Sequence, residues 1–151
     1  MKTSSALATL AVILLSITTT FGRAPAGWTE DYAKAMKQAK AENKHVLLDF
    51  TGSDWCSWCI KLDHEIFDKA SFKSFAKDNL VLVKVDFPES TPIAAKTKAQ
   101  NEKLKGQFGI TGFPTLFILD ADGKQVWKGG YMAGGPDAFI KATAGVLKKK
   151  E

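Results

Sequence analysis

Phe50-Thr51-Gly52-Ser53-Asp54-Trp55-Cys56-Ser57-Trp58-Cys59 decides the fold, because it holds both cysteines of the chain, three positions apart. A small fold stapled by disulfides uses more cysteines at wider spacing, so this pair is there for chemistry. Just before it, residues 45–50 form a short apolar run of buried-strand type. After it, a helix is expected from Asp54, its N-cap, through Leu62 and Ile66 to about residue 67. Cys56 then lies exposed in the first turn, where a thiolate faces free backbone N–H groups and the positive end of the helix dipole. Cys59 falls on the same face, one turn deeper.

Working outward, Thr29 caps a helix running to about residue 42, with Tyr32, Ala33, Met36 and Ala39 on one face and Asn43 at its stop. A short helix over 71–77 leads into a strand over 80–86. Thr91-Pro92 reads as a cap and first helical position for a helix over 93–108, ended by Gly109. Thr111-Gly112-Phe113-Pro114 precedes a β-hairpin, 116–119 and 124–128, about the turn Asp122-Gly123. Two glycine pairs, 129–130 and 134–135, bracket a loop. Pro136 opens a last helix whose apolar face is Phe139, Ala142, Val146 and Leu147. The order α-β-α-α-β-α-β-β-α implies an α/β domain with a central mixed β-sheet flanked by helices on both faces.

Residues 1–26 have the layout of a secretory signal peptide: Lys2, an apolar run over 7–17, then the small residues Gly22, Ala24 and Ala26. The run is shorter than the ~20 residues that span a hydrocarbon core. Cleavage is expected after Ala24 or Ala26, and no cysteine nearby offers a site for a lipid anchor. Residues 27–151 are then one exported domain, large enough for a core of its own. The formal charge of +5 falls to +3 once Lys2 and Arg23 leave. Lys148 to Lys150 read as a solvated helix end, and with no nucleic-acid motif beside them, no nucleic-acid partner is expected.

With these residues placed, the chain resembles the thioredoxin superfamily: a strand, then Trp55-Cys56-Ser57-Trp58-Cys59 at a helix start, and Phe113-Pro114 ahead of a hairpin. The longer stretches 50–59, Val85-Asp86-Phe87-Pro88 and Thr111-Gly112-Phe113-Pro114 resemble exported thioredoxin-like disulfide reductases of the bacterial Dsb group, over nearly all of the exported part. The resemblance implies a thioredoxin fold and a cis peptide bond before Pro114, packed beside the cysteines. It implies a substrate groove bordered by Phe113, where an extended segment pairs with backbone groups. It implies protein disulfides as substrates, reduced in the periplasm with electrons from a membrane thiol donor of the DsbD type. It also implies that Asp49 is a buried acid assisting the resolving cysteine, although the stretch from Asp49 to Cys56 is one residue longer here than in thioredoxin.

Disulfide exchange needs a thiolate that can reach another sulfur and a second thiol that releases the mixed disulfide. Cys56 is assigned as nucleophile and Cys59 as resolving thiol. A thiol of pKa ~8.5 is only about 3% ionised at pH 7, and lowering it to ~7 ionises half of it for about 2 kcal/mol. Ser57 and Trp58 add no charge between the cysteines, so a modest depression is expected, which favours the disulfide form and hence a reductant. Asp49 lies on the strand face opposite Leu48 and Phe50; it is either the proton acceptor or an ordinary strand-end acid. Trp55 and Trp58 are candidate substrate contacts, with core packing the other reading of each, and Trp28 and Trp127 are expected in the core.

Three rival readings stay open. Paired thiolates also hold copper or zinc, but zinc needs four ligands and only His45 and His64 stand as further candidates, so no metal is assigned. A purely structural Cys56-Cys59 disulfide closes too small a loop to restrict the unfolded chain much. A disulfide isomerase is the nearest redox alternative, yet no residues remain for an added dimerisation domain. A monomer is expected, with no cofactor beyond the Cys56-Cys59 couple.

Overall fold

The computed structural model describes residues 24–147; most of the proposed signal segment and the terminal lysines lie outside them. In chain order the elements are β1 (Trp28–Thr29), α1 (Tyr32–Glu42), β2 (His45–Thr51), α2 (Ser57–Leu62), a π-helical turn (Asp63–Phe67) and α3 (Ala70–Asn79). There follow β3 (Leu80–Asp86), α4 (Ala95–Gln107), β4 (Thr115–Leu119), β5 (Gln125–Gly129) and α5 (Gly135–Thr143). One mixed sheet of order β1-β3-β2-β4-β5 results. β1, β3 and β2 run parallel, β4 pairs antiparallel with β2, and β5 pairs antiparallel with β4.

Strand alternation sorts the core into two layers. Val46, Leu48 and Phe50 of β2 face the same way as Val81, Val83 and Val85 of β3, under α1 and α4. Leu47, Leu80 and Leu82 point to the other side, under α2, α3 and α5, where Phe72 and Phe139 are fully buried. Phe67, Phe72 and Phe139 stack there with centroids 4.8 to 6.2 Å apart. Burying each such ring is worth ~1.5–3 kcal/mol. Asp49 and Lys84, register partners on β2 and β3, occupy two positions of that second face where apolar side chains would continue the pattern.

Local details differ from expectation at the helix starts. Asp31, not Thr29, caps α1, its carboxylate accepting from the Lys34 N–H at 2.9 Å. Thr29 is drawn into β1, pairing with Val83, and its hydroxyl accepts from the Asp31 N–H. α4 begins at Ala95 rather than after Thr91, and the Thr91 N–H donates to the Asp54 carboxylate across the loop. The helix is tied to the sheet by buried Asn101, which donates to the Asp86 carbonyl at 2.8 Å. On α5 it is Thr143 that lies buried beside Phe139, its hydroxyl returning to the Phe139 carbonyl, while Ala142 faces out. Asn43 ends α1 in the left-handed region at φ 50°. Among the described residues no helix is long and apolar enough to cross a membrane.

Candidate active site

β2 ends at Thr51 and the chain turns sharply over 52–55 before α2. Both Trp55 and Cys56 donate their backbone N–H to the Gly52 carbonyl, at 3.3 and 2.9 Å. A Cβ at Gly52 would fall inside the Trp55 indole, so the turn needs glycine there. Cys56 itself caps α2, with Sγ accepting from the Cys59 N–H at 3.2 Å. A sulfur in that position faces the free N–H groups of the first turn, which favours its thiolate.

Asp54 is not the cap. Its carboxylate reaches across to the loop after β3 and accepts from the N–H groups of Glu89, Ser90 and Thr91 at 2.8 to 2.9 Å. Those backbone bonds, the Glu89 one foremost, hold its pKa down to about 2. Three converging N–H groups outcompete one helix terminus for the same carboxylate.

Cys56 and Cys59 form a disulfide with Cα atoms 5.2 Å apart. Cys56 is less open than the spacing implies: 7% exposed, against 1% for Cys59. The surface around it belongs to aromatic rings, Trp55 at 44% and Trp58 at 55%. On one side Trp55 meets Phe113 edge-on at 5.8 Å, and Phe113 leans on Phe87 at 5.3 Å. The Trp55 indole N–H donates to the Phe87 carbonyl at 2.8 Å, locking the ring in place. Trp55 and Phe113 wall an open recess of about 450 Å³ that is also lined by Cys56, Ile110, Thr111 and Lys105. The Phe113-Pro114 bond is cis, as the resemblance implies, and Pro114 leads directly into β4.

On the other side Trp58 packs on Tyr131 at 5.2 Å, and the Tyr131 hydroxyl donates to Glu65 at 2.6 Å. Trp58 therefore presents a ring to solvent and does not fill the sheet–helix interface. Trp28 and Trp127 do pack on the core, over Phe67 and Phe139 respectively.

Beneath α2 lies a charged floor. Asp49 is 1% exposed and neither carboxyl oxygen has a hydrogen-bond partner. Burial pushes its pKa up to about 8; Lys84 opposes that shift, while Asp63 and Asp86 add to it. The Lys84 ammonium is committed to Asp63 Oδ2 at 2.8 Å. Burial pulls the Lys84 pKa down, but the carboxylates of Asp49, Asp63 and Asp86 outweigh it and the net direction is up. Asp63 follows Cys59 by four residues, one helical turn, so Asp49 and Lys84 sit under the helix that carries the deeper cysteine. An orphaned, fully buried carboxyl is incompatible with the strand-end reading of Asp49 and suits a group that takes up and releases a proton near neutrality.

Lys84, Asp63, Phe87, Lys105 and Tyr131 escaped the sequence reading as site residues. Lys84 carried a signal, as a cation inside the otherwise apolar run 80–85, and Phe87 lay in one of the stretches that carry the resemblance. His64 lies on the surface with Nδ1 3.4 Å from Asp68. Among the described residues no three His, Cys, Asp or Glu side chains converge on a possible metal position.

A redox-type cysteine pair at the start of α2, on a mixed five-stranded sheet with helices on both faces, defines a thiol–disulfide oxidoreductase of thioredoxin fold. Residues 32–144 match the thioredoxin-like domain family, and the chain belongs to it. It is 41% identical over 119 residues to the disulfide bond reductase DsbH of Chlamydia pneumoniae, covering 79% of this chain and 72% of that protein. A solved structure of a DsbH oxidoreductase superposes with a TM-score of 0.74 at 33% identity, covering 97% of this chain and 96% of the other. A thioredoxin from Thermus thermophilus shares the fold, with a TM-score of 0.61 at 18% identity over 81% of this chain and 87% of its own.

Proposed function

We propose that this chain is an exported reductase of protein disulfides, with Cys56 as nucleophile, Cys59 as resolving thiol and Asp49 as the proton acceptor for Cys59. The observation that carries the direction is the sparse stabilisation of the Cys56 sulfur. Among the described residues its one hydrogen-bond donor is the Cys59 N–H. No cationic side chain stands between the cysteines. A thiolate stabilised only this far leaves the disulfide form favoured, which is the property of a reductant. The 41% identity to a disulfide bond reductase supports the same reading.

The reaction runs in two exchanges. The Cys56 thiolate attacks one sulfur of a substrate disulfide; that bond breaks, the second substrate sulfur leaves as a thiolate and takes a proton from water. Cys59 then gives its proton to the Asp49 carboxylate and attacks Cys56 Sγ, releasing the first substrate sulfur. Two electrons have passed to the substrate, and the Cys56-Cys59 disulfide, the state seen in the structure, remains. A membrane dithiol donor of the DsbD type then reduces that disulfide back to the Cys56-Cys59 dithiol, its own thiol pair becoming a disulfide. Trp55, Trp58, Phe113 and Pro114 border the bound segment. Residues 1–26 act as the signal peptide, and 27–151 work as a monomeric domain.

Trapping tests these roles. Cys59→Ser should accumulate mixed disulfides with protein substrates, and Cys56→Ser should trap none; the reverse pattern overturns the assignment. With a scrambled disulfide substrate, reduction without recovery of native pairing is expected, and efficient recovery would make the chain an isomerase.

A further inference from the structure

Two lysines flank the aromatic walls around Cys56, and they differ in one respect. Lys61 lies 5.1 Å from both the Trp58 and Tyr131 ring centres and has an acid in reach, Glu65 at 3.9 Å. Lys105, on the last turn of α4, lies 5.2 Å from the Phe87 ring centre and 5.8 Å from that of Phe113. It is half-buried, and among the described residues no carboxylate lies within ion-pair distance of it. It also lines the recess that holds Cys56, and no acidic residue lines that recess.

Building on the reductase reading, we propose that Lys105 is a specificity residue: it selects disulfides whose cysteine is followed or preceded by a segment carrying an aspartate or glutamate. A cation held against two aromatic faces keeps its position without an internal counter-ion. Its unspent partner is a carboxylate delivered by whatever enters the recess beside Cys56. The apolar wall of Trp55 and Phe113 accepts the rest of an extended segment, and partial exclusion of water strengthens the ion pair relative to an open surface. For a partly exposed ion pair a preference of about threefold is the expected size.

The test uses matched disulfide-linked peptides bearing Glu, Gln or Lys two residues from the cysteine, with glutathione disulfide as a small carboxylate-bearing substrate, under dithiol recycling. Wild type should show kcat/KM about threefold higher for the Glu than the Gln peptide, lowest for Lys, with the spread shrinking in 0.5 M salt. Lys105→Gln should bring the Glu:Gln ratio to one, Lys105→Arg should keep it, and Lys61→Gln should leave the ratio as in wild type. Equal reduction of all three peptides by wild type overturns the selectivity while leaving the reductase reading intact. A Lys105-dependent effect on glutathione disulfide alone also overturns it, in favour of a small-molecule site. If wild type reduces no peptide at all, both readings fall together.

Discussion

Asp49 and Asp54 stand five residues apart on either side of one turn, and the fold treats them in opposite ways. Asp49 is sealed under α2 with no hydrogen-bond partner and titrates near 8. Asp54 is exposed, holds three backbone N–H groups of the neighbouring loop and stays ionised down to about pH 2. The rim acid ties two loops together, whereas the buried one has no structural bond to make. Polar groups buried without partners cost stability, and that burial supports the proton-accepting role proposed for Asp49.

The contrast breaks first at Asp49. Asp49→Asn keeps the shape and removes the titration, and should slow the resolution of a mixed disulfide by ~100-fold at pH 7.5. In single-turnover measurements the wild-type rate should show an inflection near pH 8 that the variant lacks; an unchanged profile would remove Asp49 from the mechanism. Stability should move the other way. The folded pKa lies above the unfolded one, so the native state holds the proton better, and wild type loses stability as pH rises from about 4 through about 8. Asp49→Asn should therefore be more stable than wild type at pH 9, by ~2 kcal/mol or more in denaturant titration, with the difference shrinking toward pH 5.

A smaller effect is expected at the neighbouring cation. Lys84→Met removes the partner of Asp63 and the group that restrains Asp49; because the Asp63 side chain is 27% exposed, the cost should fall below that of a fully buried pair, at about 2 kcal/mol in the same titration. It should also move the inflection in the resolution rate to higher pH, whereas a structural role alone would leave that inflection in place. The smallest effect belongs to the rim. Asp54→Ala should lower Tm slightly at neutral pH, with the gap to wild type closing as pH falls from about 4 to 2, because the carboxylate's folded pKa is depressed. The pH profile of resolution should stay as in wild type.

The same contrast shows what the sequence makes legible. Strands 45–51 and 80–86 are readable because alternate residues go to opposite faces of a doubly covered sheet, and the cysteine pair because its spacing matches one helical turn. β1 is not readable, since two residues carry no period and Thr29 looks like a cap until β3 pairs with it. Asp54 misleads for a related reason: a carboxylate before a helix is a good N-cap, and only the fold brings residues 89–91 within its reach. The charged floor, the Trp58-Tyr131 contact and the Lys105 wall all join residues distant in sequence, which no local pattern records. Asp49 came from a resemblance, and burial then gave it a physical reason.

The direction of electron flow rests on how weakly the Cys56 thiolate is stabilised, and equilibrium titration of the Cys56-Cys59 couple in glutathione or dithiol buffers measures that directly. A potential near ~−270 mV is expected for a reductase, and a value near ~−120 mV, that of a strong oxidant, would contradict it.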